Sequence, residues 1–431
     1  FIIGSGTSQD LSIYIGQSDG SFVKAAYSLP GPIYQVTATQ VVQSGILIDV
    51  NGDGILDYSR ALKNEDAQTE DFDVYLGSAT GFTKNAAFKL PGQLFWQVNR
   101  QTYNSGILTD MNGDGLPDYS RATHILSSGA MLLDIYKGTP GGFQKISAQL
   151  PGAVYSISAT GSLTTGMVRD INGDGIADYS AALVNQDAGT TDLKVYVGQS
   201  PDFTFTNQFN LPGQMFWLVN GKILESGLLA DVNGDGIPDY SRATTLVNGT
   251  TKILDLYFGT GSGFEQAPFD LPDSVYAIDA GLSDIQGLLT NWNGDETTRF
   301  SKATKWRDNT EELDIYLGSG SGFEQSSLKL PGALFWAQTA GTYSRAIYQD
   351  LNGDGLTDFA DSVCQMANGV PDQCALDIQL AEGPYTDLIS SVTTGFNGTT
   401  TISYAPLTKQ GVYQGGAPTT YPLRNQAGAT Y

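Results

Sequence analysis

One histidine, two cysteines, few basic residues and no long apolar run set the first limits on this chain. With His124 alone, Ser–His–Asp, Cys–His and zinc constellations lack parts. Lys and Arg number 22 against 45 Asp and Glu, a formal charge of −23 that opposes unassisted binding to nucleic acid or an anionic membrane. No stretch approaches the roughly 18 consecutive apolar residues that span a bilayer, so no transmembrane segment is expected. Phe1 opens without a charged leader, which suggests a removed signal peptide or a fragment. No glycine-rich phosphate loop precedes a helix-like segment, and the chain reads as non-enzymatic.

What is abundant points to strands and tight turns: 52 Gly, 22 Tyr and 19 Phe. At 431 residues the chain is too long for one ordinary core, and its self-similarity favours a repeat array. An Asp-x-Asn-Gly-Asp-Gly-x-x-Asp run begins at Asp49, Asp110, Asp170, Asp231 and Asp350, with a degenerate copy at Asn291. The spacings are 61, 60, 61, 60 and 59 residues. Leu-Pro-Gly keeps the same beat, varied to Leu-Pro-Asp at Leu271. Each unit reads as four short strands, the pattern of one β-propeller blade. Aromatic residues after each Leu-Pro are followed alternately by Trp (Trp96, Trp217, Trp336) and by Gln35, Ser156 or Ala277, so the blades come in pairs. The expectation is an all-β, six-bladed propeller over 31–381, with seven blades as the alternative. Residues 1–30 form a half-unit that closes the ring, and 382–431 a hairpin and extended tail.

The acidic runs match the first half of an EF-hand-type loop, with side-chain oxygens at positions 1, 3 and 5, Gly at 6 and a carbonyl at 7. Asp at position 9 completes the set. Expected Ca²⁺ ligands are Asp49, Asn51, Asp53, Ile55 and Asp57; Asp110, Asn112, Asp114, Leu116 and Asp118; Asp170, Asn172, Asp174, Ile176 and Asp178; Asp231, Asn233, Asp235, Ile237 and Asp239; and Asp350, Asn352, Asp354, Leu356 and Asp358. About five ions follow. The loop at Asn291 carries Glu296 and Arg299 at positions 6 and 9 and is expected to be empty. Calcium sites tuned to extracellular concentrations favour a secreted or cell-surface setting.

The Asp-x-Asn-Gly-Asp-Gly-x-x-Asp loops, with the Tyr-x-Gly-x-x-x-Gly-Phe segments at Tyr75, Tyr136, Tyr257 and Tyr316, resemble the FG-GAP or VCBS repeats of integrin-like propellers. Residues 387–408 resemble the hairpin after the propeller in B components of insecticidal toxin complexes and Rhs-linked secreted proteins. The resemblance implies a calcium-stabilised module that docks a protein partner or self-assembles. A carbohydrate-binding lectin or adhesin is the alternative, with Trp96, Trp217 and Trp336 as stacking platforms if exposed and packing residues if buried. Cys364 and Cys374 flank a turn and suggest a disulfide across a hairpin, free thiols being the other reading.

Overall fold

The computed structural model describes residues 11–16, 21–36, 41–158, 161–200, 203–246, 251–279, 282–290, 298–306, 308, 310–319, 321–338, 341–344, 346–351, 356–367, 370–381, 391–393 and 399–401. Every regular element among them is a β-strand. The chain is an all-β solenoid of about 8 turns, which corrects the propeller expectation in both its six- and seven-bladed forms.

The second acidic unit shows why one blade per unit fails. Ile107–Thr109, Asp118–Ser120, Asp134–Thr139 and Gly142–Gln149 form an antiparallel sheet with the acidic loop between its first two strands. A second sheet joins the hairpin Thr123–Ile125 and Ala130–Leu132 to Tyr155–Ser158 and Gly161–Thr164, with Thr123–Ile125 and Tyr155–Ser158 parallel. We call these the loop sheet and the aromatic sheet. Four strands were expected per unit, and eight are present.

The division occurs at one alanine. The Tyr-Ser-x-Ala run looks like a continuous strand, but Ala122, Ala182 and Ala243 take φ of 47°, 47° and 44°. That left-handed turn sends the chain from the loop sheet into the aromatic sheet. The methyl is fully buried, and the alanine carbonyl accepts N–H groups from both Val154 and Tyr155 in the second unit. The serine two residues earlier accepts the alanine N–H, at 3.1 Å for Ser120. The tyrosine hydroxyl donates to the carbonyl beyond Leu-Pro-Gly, as from Tyr119 to Gln93 at 3.0 Å.

Each core is shared by neighbours. Val50, Val74, Leu90 and Leu94 of the first unit pack with Tyr119 of the second, and the pattern recurs with Tyr179, Tyr240 and Phe300. The closing strands of successive aromatic sheets lie side by side in chain order, from Val41–Gln43 through Gln101–Asn104, Gly161–Thr164, Lys222–Glu225 and Leu282–Ile285 to Gly341–Ser344. Such an array is held by nearest-neighbour interfaces.

The half-unit Ser12–Gly16 with Phe22–Ser28 stacks on the first unit, Tyr27 meeting Phe82 edge to face at 6.3 Å. Phe209 meets Phe264 in the same way between the third and fourth units. The sixth unit builds its own long hairpin, Asp358–Ala367 with Val370–Gln379. In the tail the short strands Ser391–Thr393 and Thr399–Thr401 pair antiparallel.

Candidate functional site

In the four fully described acidic loops the first Asp is the hub. Asp49 accepts from the N–H of Gly52 through Oδ1 and of Gly54 through Oδ2, both at 2.7 Å. Asn51 accepts from the Asp53 N–H through Oδ1 and donates to Asp53 Oδ2 through its amide, at 2.9 and 3.1 Å. Asp53 Oδ1 in turn accepts the Ile55 N–H at 2.8 Å. The loops at Asp110, Asp170 and Asp231 repeat this scheme.

The ninth residue is a strut. Asp57, Asp118, Asp178 and Asp239 are fully buried. One oxygen of Asp118 accepts from Met111 N–H at 2.9 Å and the other from Gly138 N–H at 2.8 Å, fastening the loop to a strand across the sheet. Burial pushes all four carboxyls up to about 6. In the sixth unit Asp358 is likewise buried and bonds Leu351 and Ala381 N–H, each at 2.8 Å.

Among the described residues no three Asp, Glu, His or Cys side chains converge to hold a metal. The reason is local: the loop's carboxylates are turned onto its own N–H groups. In the second loop Lys137 adds an ion pair to Asp114 at 3.0 Å. Burial opposes ionisation of Asp114, but Lys137, the Leu116 N–H and Asn112 together hold its carboxyl below the usual range.

The seventh residues, Ile55, Leu116, Ile176 and Ile237, were expected to offer carbonyls. The side chain of Leu116 lies over Gly52 of the preceding loop and that of Ile237 over Gly173, so the loops form a column. A bond from Ala177 N–H to Met111 carbonyl at 3.1 Å ties the third loop to the second. Thr298, after the degenerate loop, donates to the Asp231 carbonyl, and Arg299 is buried. Asn291, Asn293, Asp295 and Glu296, and Asn352 and Asp354 of the sixth loop, lie outside the described residues; Asp350 is exposed and Leu356 buried.

The three tryptophans differ. Trp96 is buried against Tyr103, Trp217 is half-buried, and Trp336 is 42% exposed. His124 is half-buried on its strand opposite Met131. Cys364 and Cys374 face each other in the hairpin register. Their side chains lie outside the described residues.

No known protein family matches the chain. No curated protein does either. The solved structure of YjhT is similar at 12% identity over 82% of this chain and 98% of its own, with a TM-score of 0.24. A likeness of that size carries no argument. The resemblances to FG-GAP or VCBS repeats and to toxin-complex B components are therefore withdrawn, along with the integrin-like and Rhs-linked identities. No helix among the described residues is long and apolar enough to cross a membrane.

Proposed function

We propose that the chain is a non-enzymatic extracellular scaffold that docks a protein through the ends of its stack, a second copy being the first partner to test. The observation that carries this reading is where large apolar side chains are exposed. Inside the array each core is covered by the next unit. On the N-terminal hairpin Tyr14, Ile15, Phe22 and Val23 are exposed together, Leu328, Trp336, Ile347 and Leu380 are exposed in the later units, and others such as Leu56, Leu126 and Met131 are exposed between them. Stacked repeats need polar caps to stay apart, whereas apolar ends favour association. Each unit offers one face to its successor and a different face to its predecessor, which suits head-to-tail contact. A charge of −23 favours protein over nucleic acid as the partner class.

Ca²⁺ enters this reading on donor chemistry alone, since an ion would have to displace the amides that now hold the carboxylates. The extracellular setting rests on the same chemistry. Glycan binding has support in exposed Trp336.

Sedimentation velocity from low micromolar to near-millimolar protein tests docking. Concentration-dependent association is expected, and it should be lost in Val23→Asp and in Leu328→Asp. Mixing the two variants should restore a closed pair with one good end from each. A chain that stays monomeric throughout and binds no apolar dye overturns the reading.

A further inference from the structure

The fifth unit departs from the first four at two residues that meet in space. In the first, second and fourth units a Cβ on the Leu-Pro-Gly glycine would lie 2.6, 2.5 and 2.5 Å from the hydroxyl of Tyr58, Tyr119 and Tyr240. The fifth has Phe300 in place of tyrosine and Asp273 in place of glycine. Loss of the hydroxyl frees the space, and the new carboxylate bridges Lys252 at 2.7 Å and Lys302 at 2.6 Å. Glu312 holds Lys302 from the other side at 2.8 Å.

These groups border a cavity of about 170 Å³ at the seam between the fourth and fifth units, with Gln286 and the half-buried Trp306 on its wall. Asp273 and Lys302 are its least exposed charges, with side chains 14% and 24% accessible. Thr245 donates to Ser274 on the same wall at 2.8 Å. Two cations and two anions cancel, so a simple ion of either sign meets a like charge as well as a partner. Neighbouring hydroxyls of one small ring can donate to Asp273 and Glu312 while accepting from the lysines. An aromatic wall suits the apolar face of such a ring. The volume falls below the about 300 to 1,000 Å³ that houses drug-sized ligands, which limits the occupant to a single ring.

We propose that this seam is a binding site for a neutral monosaccharide or the terminal sugar of a glycan, held by Asp273, Lys302 and Glu312 beside Trp306. The site is separate from the exposed ends and does not depend on the docking reading.

The test is calorimetric titration of the full chain with methyl glycosides of glucose, galactose, mannose, fucose and N-acetylglucosamine, with glycine and inorganic phosphate as charged comparators. At least one glycoside is expected to bind, at roughly millimolar affinity given the small contact area. The double variant Asp273→Gly with Phe300→Tyr restores the residues of the first four units, so it should stay folded while removing the carboxylate that bridges the two lysines. It should weaken that glycoside by roughly tenfold or more, the scale of a lost charged hydrogen bond. The proposal is overturned if no glycoside binds, if the double variant binds equally well while folded, or if glycine or phosphate is preferred.

Discussion

At the scale of the residue, the glycine of Leu-Pro-Gly is fixed by a tyrosine from a strand of the next acidic unit. A Cβ at Gly92 would lie 2.5 Å from the Tyr119 hydroxyl, which itself donates to the Gln93 carbonyl and cannot retreat without losing that bond. Gly92→Ala should therefore destabilise the protein by about 1 to 3 kcal/mol, as overpacking in a tight core does. Adding Tyr119→Phe should recover part of the loss, as the fifth unit does with Phe300 and Asp273. Denaturant melts of the two single variants and the double variant measure the coupling, and strict additivity would refute the contact as its cause. The Leu-Pro-Gly beat is visible in sequence, but the reason for its glycine is a contact between distant positions.

At the scale of the element, the buried alanine sets how many sheets a unit makes. Alternation and turn residues were legible enough to place the acidic loop between two strands and to find the Gly-Phe turn. The run Tyr119 to Ala122 reads as part of one strand because nothing in residue type marks a positive φ at alanine. Two features impose it together: the Ser120 hydroxyl accepts the Ala122 N–H, and the Ala122 carbonyl is claimed by two N–H groups of the incoming strand. Ala122→Val should cost at least about 2 kcal/mol, because a β-branched residue resists this conformation and the site has no room for two more methyls. Amide exchange should then quicken in Thr123–Ile125 and Tyr155–Ser158 together. Unchanged stability would mean that the turn is not under constraint.

At the scale of the molecule, the stacked loops make stability depend on pH in an unusual direction. The native carboxyls of Asp57, Asp118, Asp178 and Asp239 are raised from 3.8 to about 6. Their stabilising effect is present in full below the unfolded value and is lost as pH rises through about 6. By neutral pH each raised group disfavours the native state by about 3 kcal/mol relative to its protonated form. Burial opposes ionisation of Asp273, yet Lys252 and Lys302 hold it low; Asp134 is held low by Lys145 and Gln149, and Asp314 by Lys329. Those groups act in the opposite sense and lose their stabilising effect as pH falls below the usual carboxylate range. In chelator the melting temperature should peak near pH 5 rather than at 7. Millimolar Ca²⁺ at pH 7 should raise it too, by supplying positive charge where protonation otherwise does. A melt at pH 7 that ignores both Ca²⁺ and chelator removes calcium from the proposed function.

The sequence by itself determined the period, the all-β class, the six acidic loops, the degenerate fifth copy and the hairpin around Cys364 and Cys374. These are local patterns, carried by residue types within a few positions of one another. Only the tertiary structure decided that each unit divides into two sheets, that the position-nine aspartates serve as struts, and that the units stack as a solenoid. A repeat of about 60 residues is equally compatible with a ring and with an open stack, because the rotation from one unit to the next is set by side chains packing across the seam. The same holds for Asp273 and Phe300, unremarkable apart in the chain and complementary once that seam brings them together.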